Sequence, residues 1–173
     1  NPFYYEALMN KAAALIKIDE VANKSSAIGL NEIVIKDFTN GEKVQSNAIS
    51  GAYYNVAFLN EKLNSNESFD LYCKSAYVAL PKNKIIPLIG AINLKPDAVK
   101  ELFPKIIDVL CSGEIKLDRK GHQTGLEFTQ TRLSELVYIL LFNNYSSEFN
   151  QLLEVVKVHC LTDQSKYAEL LLE

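Results

Sequence analysis

Few side chains in this chain are of the kinds that make or break bonds. There are two histidines, His122 and His159, and three cysteines, Cys73, Cys111 and Cys160. His159 stands directly before Cys160, a base beside a nucleophile. Consecutive residues of a helix project about 100° apart, so this pair would not face each other. Thiol chemistry would need Cys111 or Cys160 to meet His122 from elsewhere in the fold, with a thiolate as the attacking form. Metal ligands are scattered too. No Cys-x-x-Cys, no His-Glu-x-x-His and no acidic calcium loop occurs, although a metal needs clustered ligands at usable spacings. Glycine-rich phosphate loops and a Gly-x-Ser-x-Gly elbow are also missing. Gly121 and Gly125 bracket His-Gln-Thr and suit a turn. Arg119 and His122 are too close together, on that same turn, to work as an arginine–histidine pair. The sequence assigns no catalytic residue, no metal ligand and no cofactor.

Two groups of side chains could bind instead. Lys116, Arg119, Lys120, His122 and Arg132 concentrate positive charge around one predicted hairpin. A basic hairpin between helices could lie against nucleic-acid phosphates. Glu114, Asp118, Glu127 and Glu135 dilute it, and turn tips are polar in any case because they meet water. The nine tyrosines form the second group. Tyr4–Tyr5 and Tyr53–Tyr54 are adjacent pairs, so one ring of each pair is free to point away from its helix. Tyrosine is favoured as an anchor in protein interfaces, and it also sits at core edges with its hydroxyl in water.

Composition bounds these readings. The chain has 173 residues, 48% of them apolar and 23% charged, which suits one folded domain over 1–173 rather than a disordered chain. The net charge of −3 makes neither nucleic acid nor an anionic membrane an obligatory partner. Three isolated cysteines set among apolar residues read as buried free thiols in a reducing compartment, hence a cytoplasmic location. No apolar run reaches the roughly 18 residues of a membrane span. The chain opens on Asn1 rather than Met, so a preceding segment is expected.

The elements that would carry these groups are mostly helical. Thr131–Phe142 is the strongest, with Leu133, Leu136, Val137, Leu140 and Leu141 on one stripe and Tyr138, Ile139 and Phe142 widening it. A helix apolar nearly all round is expected at the centre of a domain. A first helix is predicted from Pro2 to about Asn23–Ser26, on Leu8, Ala12, Leu15 and Ile16. Others are predicted over Gly51–Leu63 and over Phe69–Leu80. The second of these carries a stripe of Phe69, Tyr72, Cys73, Ala76, Tyr77 and Leu80, stopped by Pro81. Short pieces follow around Pro87, and a helix from Pro96–Asp97 is expected to kink or divide at Pro104. Two more cover Phe149–Cys160 and the stretch from about Ser165. Two β-hairpins are predicted. One spans about 32–45, on the alternation of Ile33 and Ile35 and the turn signal Asn40–Gly41, in competition with a helix capped by Gly41. The other spans about 114–128, on Ile115, Leu117, Leu126 and Phe128. The class is mainly α, an irregular helical bundle with one or two small hairpins.

The functional expectation is a non-enzymatic cytoplasmic protein that binds another protein, such as a small inhibitor, an immunity-type protein or a regulatory adaptor. Tyr4, Tyr5, Tyr53 and Tyr54 are its candidate contacts. The alternative is a nucleic-acid-binding regulator using Lys116, Arg119, Lys120 and Arg132, and the third reading is a thiol enzyme.

Overall fold

The structure, a computed structural model, describes residues 4–115 and 124–160, with backbone alone over 124–130. Among the described residues every regular element is helical: α1 Tyr4–Ile18, α2 Glu20–Thr39, α3 Ser46–Asn60, α4 Ser65–Val78, α5 Ile85–Leu94, α6 Val99–Cys111, α7 Thr124–Phe142 and α8 Ser146–Val155. The mainly α class holds, and neither predicted hairpin appears among the described residues. Residues group into two compact units, Asn1–Leu80 and Pro81–Glu173.

In the first unit each helix packs antiparallel to the next. The predicted first helix is interrupted at Asp19, which has extended backbone and whose side chain accepts a hydrogen bond from the Ala22 amide at 3.0 Å. That is a helix N-cap, and here it reverses the chain. Ala12 of α1 then meets Ala27 of α2 and Leu59 of α3 in one buried cluster, and the Tyr5 hydroxyl donates to Asp37. A second cluster joins Val34 of α2 to Ala48 and Ala52 of α3, with Leu8 and Met9 of α1 against it. Backbones approach closely here. A methyl group on Gly51 would lie 2.8 Å from the Met9 Cε, so α3 meets α1 at a position with no side chain.

The hairpin predicted over 32–45 is corrected by α2. The alternation of Ile33 and Ile35 misleads because the inward face is Ala27, Asn31 and Val34, spaced at helical period but mostly small or polar. Val34 is 0% exposed, whereas Ile33 is 39% exposed. Asn40–Gly41 ends the helix instead of turning a hairpin. Gly41 has φ +89°, its amide donates to the Phe38 carbonyl at 3.1 Å, and the Glu42 amide donates to the Asp37 carbonyl at 3.0 Å. This pair of bonds is a Schellman cap, which needs a left-handed residue at the glycine position.

Polar side chains tie α3 to both neighbours. The buried Asn31 amide donates to the Ala27 carbonyl at 2.7 Å, and its side-chain oxygen accepts from Asn55 at 3.1 Å. The Ser75 hydroxyl donates to the Ser50 carbonyl at 2.8 Å. Its only hydrogen is thus used, so in the 3.1 Å contact between the two hydroxyls Ser50 is the donor. Asn64 caps α4, accepting from the Glu67 amide at 3.2 Å while its own amide donates to the Glu67 carboxylate at 3.0 Å. The inward face of α4 is Ser68, Tyr72, Ser75 and Ala76. Tyr77, expected inside, is exposed.

In the second unit α5 is the buried centre. Ile85, Pro87, Leu88, Ile89, Gly90, Ala91 and Ile92 are all buried, and the helix packs against both α6 and α7. Pro87 is its third residue, where the missing N–H has no partner to lose. Helix α6 runs unbroken through Pro104, against expectation. Lys100, whose carbonyl would have bonded to residue 104, lies with Pro104 on the exposed side, so water can satisfy that carbonyl. Leu102, Phe103, Ile106, Ile107, Val109 and Leu110 cover the opposite side.

The hairpin predicted over 114–128 is corrected at its ends. Residues 114 and 115 form no strand, and Leu126 and Phe128 fall within α7. Leu126 stands seven residues before Leu133, so the sequence there also fits the helical period. The remainder of that hairpin, and the last predicted helix, lie outside the described residues. The C-terminal end of α8 widens into a π turn at Val156–Cys160, which brings the Cys160 thiol 3.8 Å from the Leu110 carbonyl.

Candidate functional site

The predicted tyrosines occupy three kinds of surroundings. Tyr4 is exposed and packs edge-on against Tyr5, with ring centroids 5.2 Å apart and planes at 65°. Tyr5 is half-buried, and its hydroxyl lies 3.3 Å from the Asp37 carboxylate. Loss of solvent first, then the charges of Asp37 and Glu42, push its pKa up, because each disfavours a phenolate. Tyr53 is buried, and desolvation likewise raises its pKa. Tyr54 is half-buried and stacks on Phe58, with centroids 6.4 Å apart and planes at 8°. It also tilts against Tyr72 at 5.4 Å, whose hydroxyl is held by the Glu61 carboxylate. Adjacent tyrosines thus divide as expected for neighbours on a helix: Tyr53 faces the core, and Tyr54 with Phe58 faces outward.

Of the basic group, Lys116, Arg119 and Lys120 lie outside the described residues. Arg132 is buried on α7, with its guanidinium 2.6 Å from the Glu135 carboxylate one turn along. The cysteines are free thiols in different settings: Cys73 half-buried, Cys111 exposed and Cys160 buried. No cluster of three or more metal-ligating side chains occurs among the described residues. No described helix is long and apolar enough to cross a membrane.

An exposed pair of stacked aromatic rings was not among the predicted contacts. It lies on the second half of α7, which the sequence read as apolar all round. Leu133, Leu136, Val137, Ile139 and Leu140 are buried, but Tyr138 is 68% exposed, Phe142 is 74% exposed and Leu141 is about half exposed. The Tyr138 and Phe142 rings stack one turn apart, with centroids at 5.9 Å and planes at 17°. Their spacing is a legible signal, since an aromatic pair at i, i+4 makes its own ridge. Which ridge turns inward depends on where α5 and α8 lie. Chemically this surface offers two aromatic faces and an aliphatic edge, with no group suited to proton or phosphate transfer.

Comparison with family models, curated proteins and solved structures finds no match to this chain.

Proposed function

We propose that this protein is a non-enzymatic, cytoplasmic protein-binding module, of the kind that acts as a small inhibitor, an immunity-type protein or a regulatory adaptor. The observation that carries this reading is the aromatic face of α7, where Tyr138, Leu141 and Phe142 meet solvent while Leu133, Leu136, Val137, Ile139 and Leu140 are buried. Covering each of these side chains would stabilise a complex by about 1–2 kcal/mol, and aromatic anchors of this type dominate interface energies. On the first unit, the exposed Tyr4 ring is a separate candidate contact. An exposed free thiol at Cys111 suits a reducing compartment.

Affinity capture of the tagged protein from its native lysate, with and without nuclease, tests the proposal. The expected result is a stoichiometric protein partner that survives nuclease and is lost from the double variant Tyr138→Ser, Phe142→Ser. Both positions are at the surface, so folding should be nearly unchanged. Recovery that depends on nucleic acid, or turnover of a substrate abolished at Cys111 or Cys160, would overturn it.

A further inference from the structure

Asn40 is the one asparagine in the chain followed by glycine. Both residues are exposed, and a methyl group built on Gly41 would meet nothing within 4 Å. Residue 41 therefore has no side chain of its own and open space on the side where one would stand. We propose that Asn40 is a self-modifying site, converting without an enzyme to a mixture of aspartyl and isoaspartyl residues at the C-terminal cap of α2.

The Gly41 amide nitrogen gives its proton to solvent base and attacks the Asn40 side-chain carbonyl carbon. A C–N bond forms, the side-chain nitrogen takes up a proton and leaves as ammonia, and a five-membered imide remains. Water then adds to one of the two imide carbonyls and breaks its bond to nitrogen. Opening at the side-chain carbonyl gives aspartate. Opening at the main-chain carbonyl routes the chain through the side chain and gives isoaspartate. The net reaction consumes one water and releases one ammonia, with no oxidant or reductant.

The cap sets the rate. With Asn40 at ψ 1°, its side-chain carbon is not presented to the Gly41 nitrogen, and that nitrogen is bonded to the Phe38 carbonyl. Rotation into the attacking geometry breaks this bond and strains the neighbouring bond from Glu42 to Asp37. Both are neutral main-chain bonds at an exposed helix end, which open readily. The product places a carboxylate at the negative end of the helix dipole, near Asp37 and Glu42, whose charges already act on the Tyr5 hydroxyl. The isoaspartyl form also adds a methylene to the main chain inside the cap.

The test is to incubate the folded protein in mildly alkaline buffer at physiological temperature and follow Asn40 by peptide mapping and mass spectrometry. Conversion of Asn40 to the acid in both linkages is expected, slower than in a peptide of residues 36–45. It should be slower by about an order of magnitude in the same peptide carrying Gly41→Ala, where no cap is at stake, and absent at that position in the folded Asn40→Gln variant. An intact Asn40 in the folded protein after the peptide has fully converted would overturn the proposal. So would equal conversion in the wild-type and Gly41→Ala peptides.

Discussion

Where α2 meets α3 in the first unit, the small or polar Ala27, Asn31, Ala48 and Ala52 are buried beside Val34 and Leu59. In the second unit α5 alone buries Ile85, Leu88, Ile89 and Ile92, and α6 adds Leu102, Phe103, Ile106, Ile107 and Leu110. Small side chains let helix axes approach closely, and close backbones bring polar groups within bonding range. The first unit accordingly carries Asn31–Asn55 and Ser50–Ser75 bonds between its helices. The second is held chiefly by the area its large aliphatic side chains remove from water, at about 25 cal/mol per Å². Two ways of joining helices therefore occur in one chain: specific polar contacts between close backbones, and broad apolar burial. The first depends on exact partners and the second on volume.

Three measurements would break or sharpen this contrast. The largest effect is expected in the aliphatic unit. Ile89→Ala should cost about 2–5 kcal/mol, through lost burial and a cavity, read as a lower midpoint in urea unfolding. A cost below about 1 kcal/mol would mean that volume is not what holds this unit. Next comes Asn31→Ala in the first unit, which removes little apolar area but leaves the Asn55 amide without its acceptor. A loss of about 1–3 kcal/mol is expected, and the double variant with Asn55→Ala should cost less than the sum of the singles. Additive costs would show that the bond contributes nothing as a pair.

The smallest effect is a loss of stability in alkali. Tyr5 and Tyr53 both have raised pKa values in the folded protein, so the folded form holds these protons more tightly than the unfolded one. Their contribution is complete below the unfolded value near 10 and declines as the pH rises through the folded values. Tyrosinate absorbance and thermal unfolding above that pH should move together in wild type. Tyr53→Phe should flatten the decline, and an unchanged slope would remove Tyr53 as its source.

The same contrast explains which elements were legible. Helices α3, α6 and α8 could be read because their inward positions are mainly apolar, so the period is visible. Helix α2 could not, because two of its three buried positions are Ala27 and Asn31, and the conspicuous residue Ile33 faces partly outward. The face of α4 was misjudged for the same reason: Ser68 and Ser75 face inward and Tyr77 outward. Of the candidate contacts, Tyr4 is exposed and Tyr54 half-exposed, while Tyr53 is buried. The α7 surface went unread because an apolar helix gives no sign of which side its neighbours will cover.

By itself, the sequence determined the helical class and the left-handed role open to Gly41. Both follow from local chemistry: the spacing of apolar side chains along the chain, and a residue that lacks a Cβ. Tertiary structure alone decided that Asp19 reverses the chain, that α2 continues through residues 32–39, that α5 rather than α7 forms the buried centre, and that Tyr138 and Phe142 face water. Those outcomes depend on which surfaces of distant helices meet, and burial is a property of the assembled neighbours rather than of any one segment.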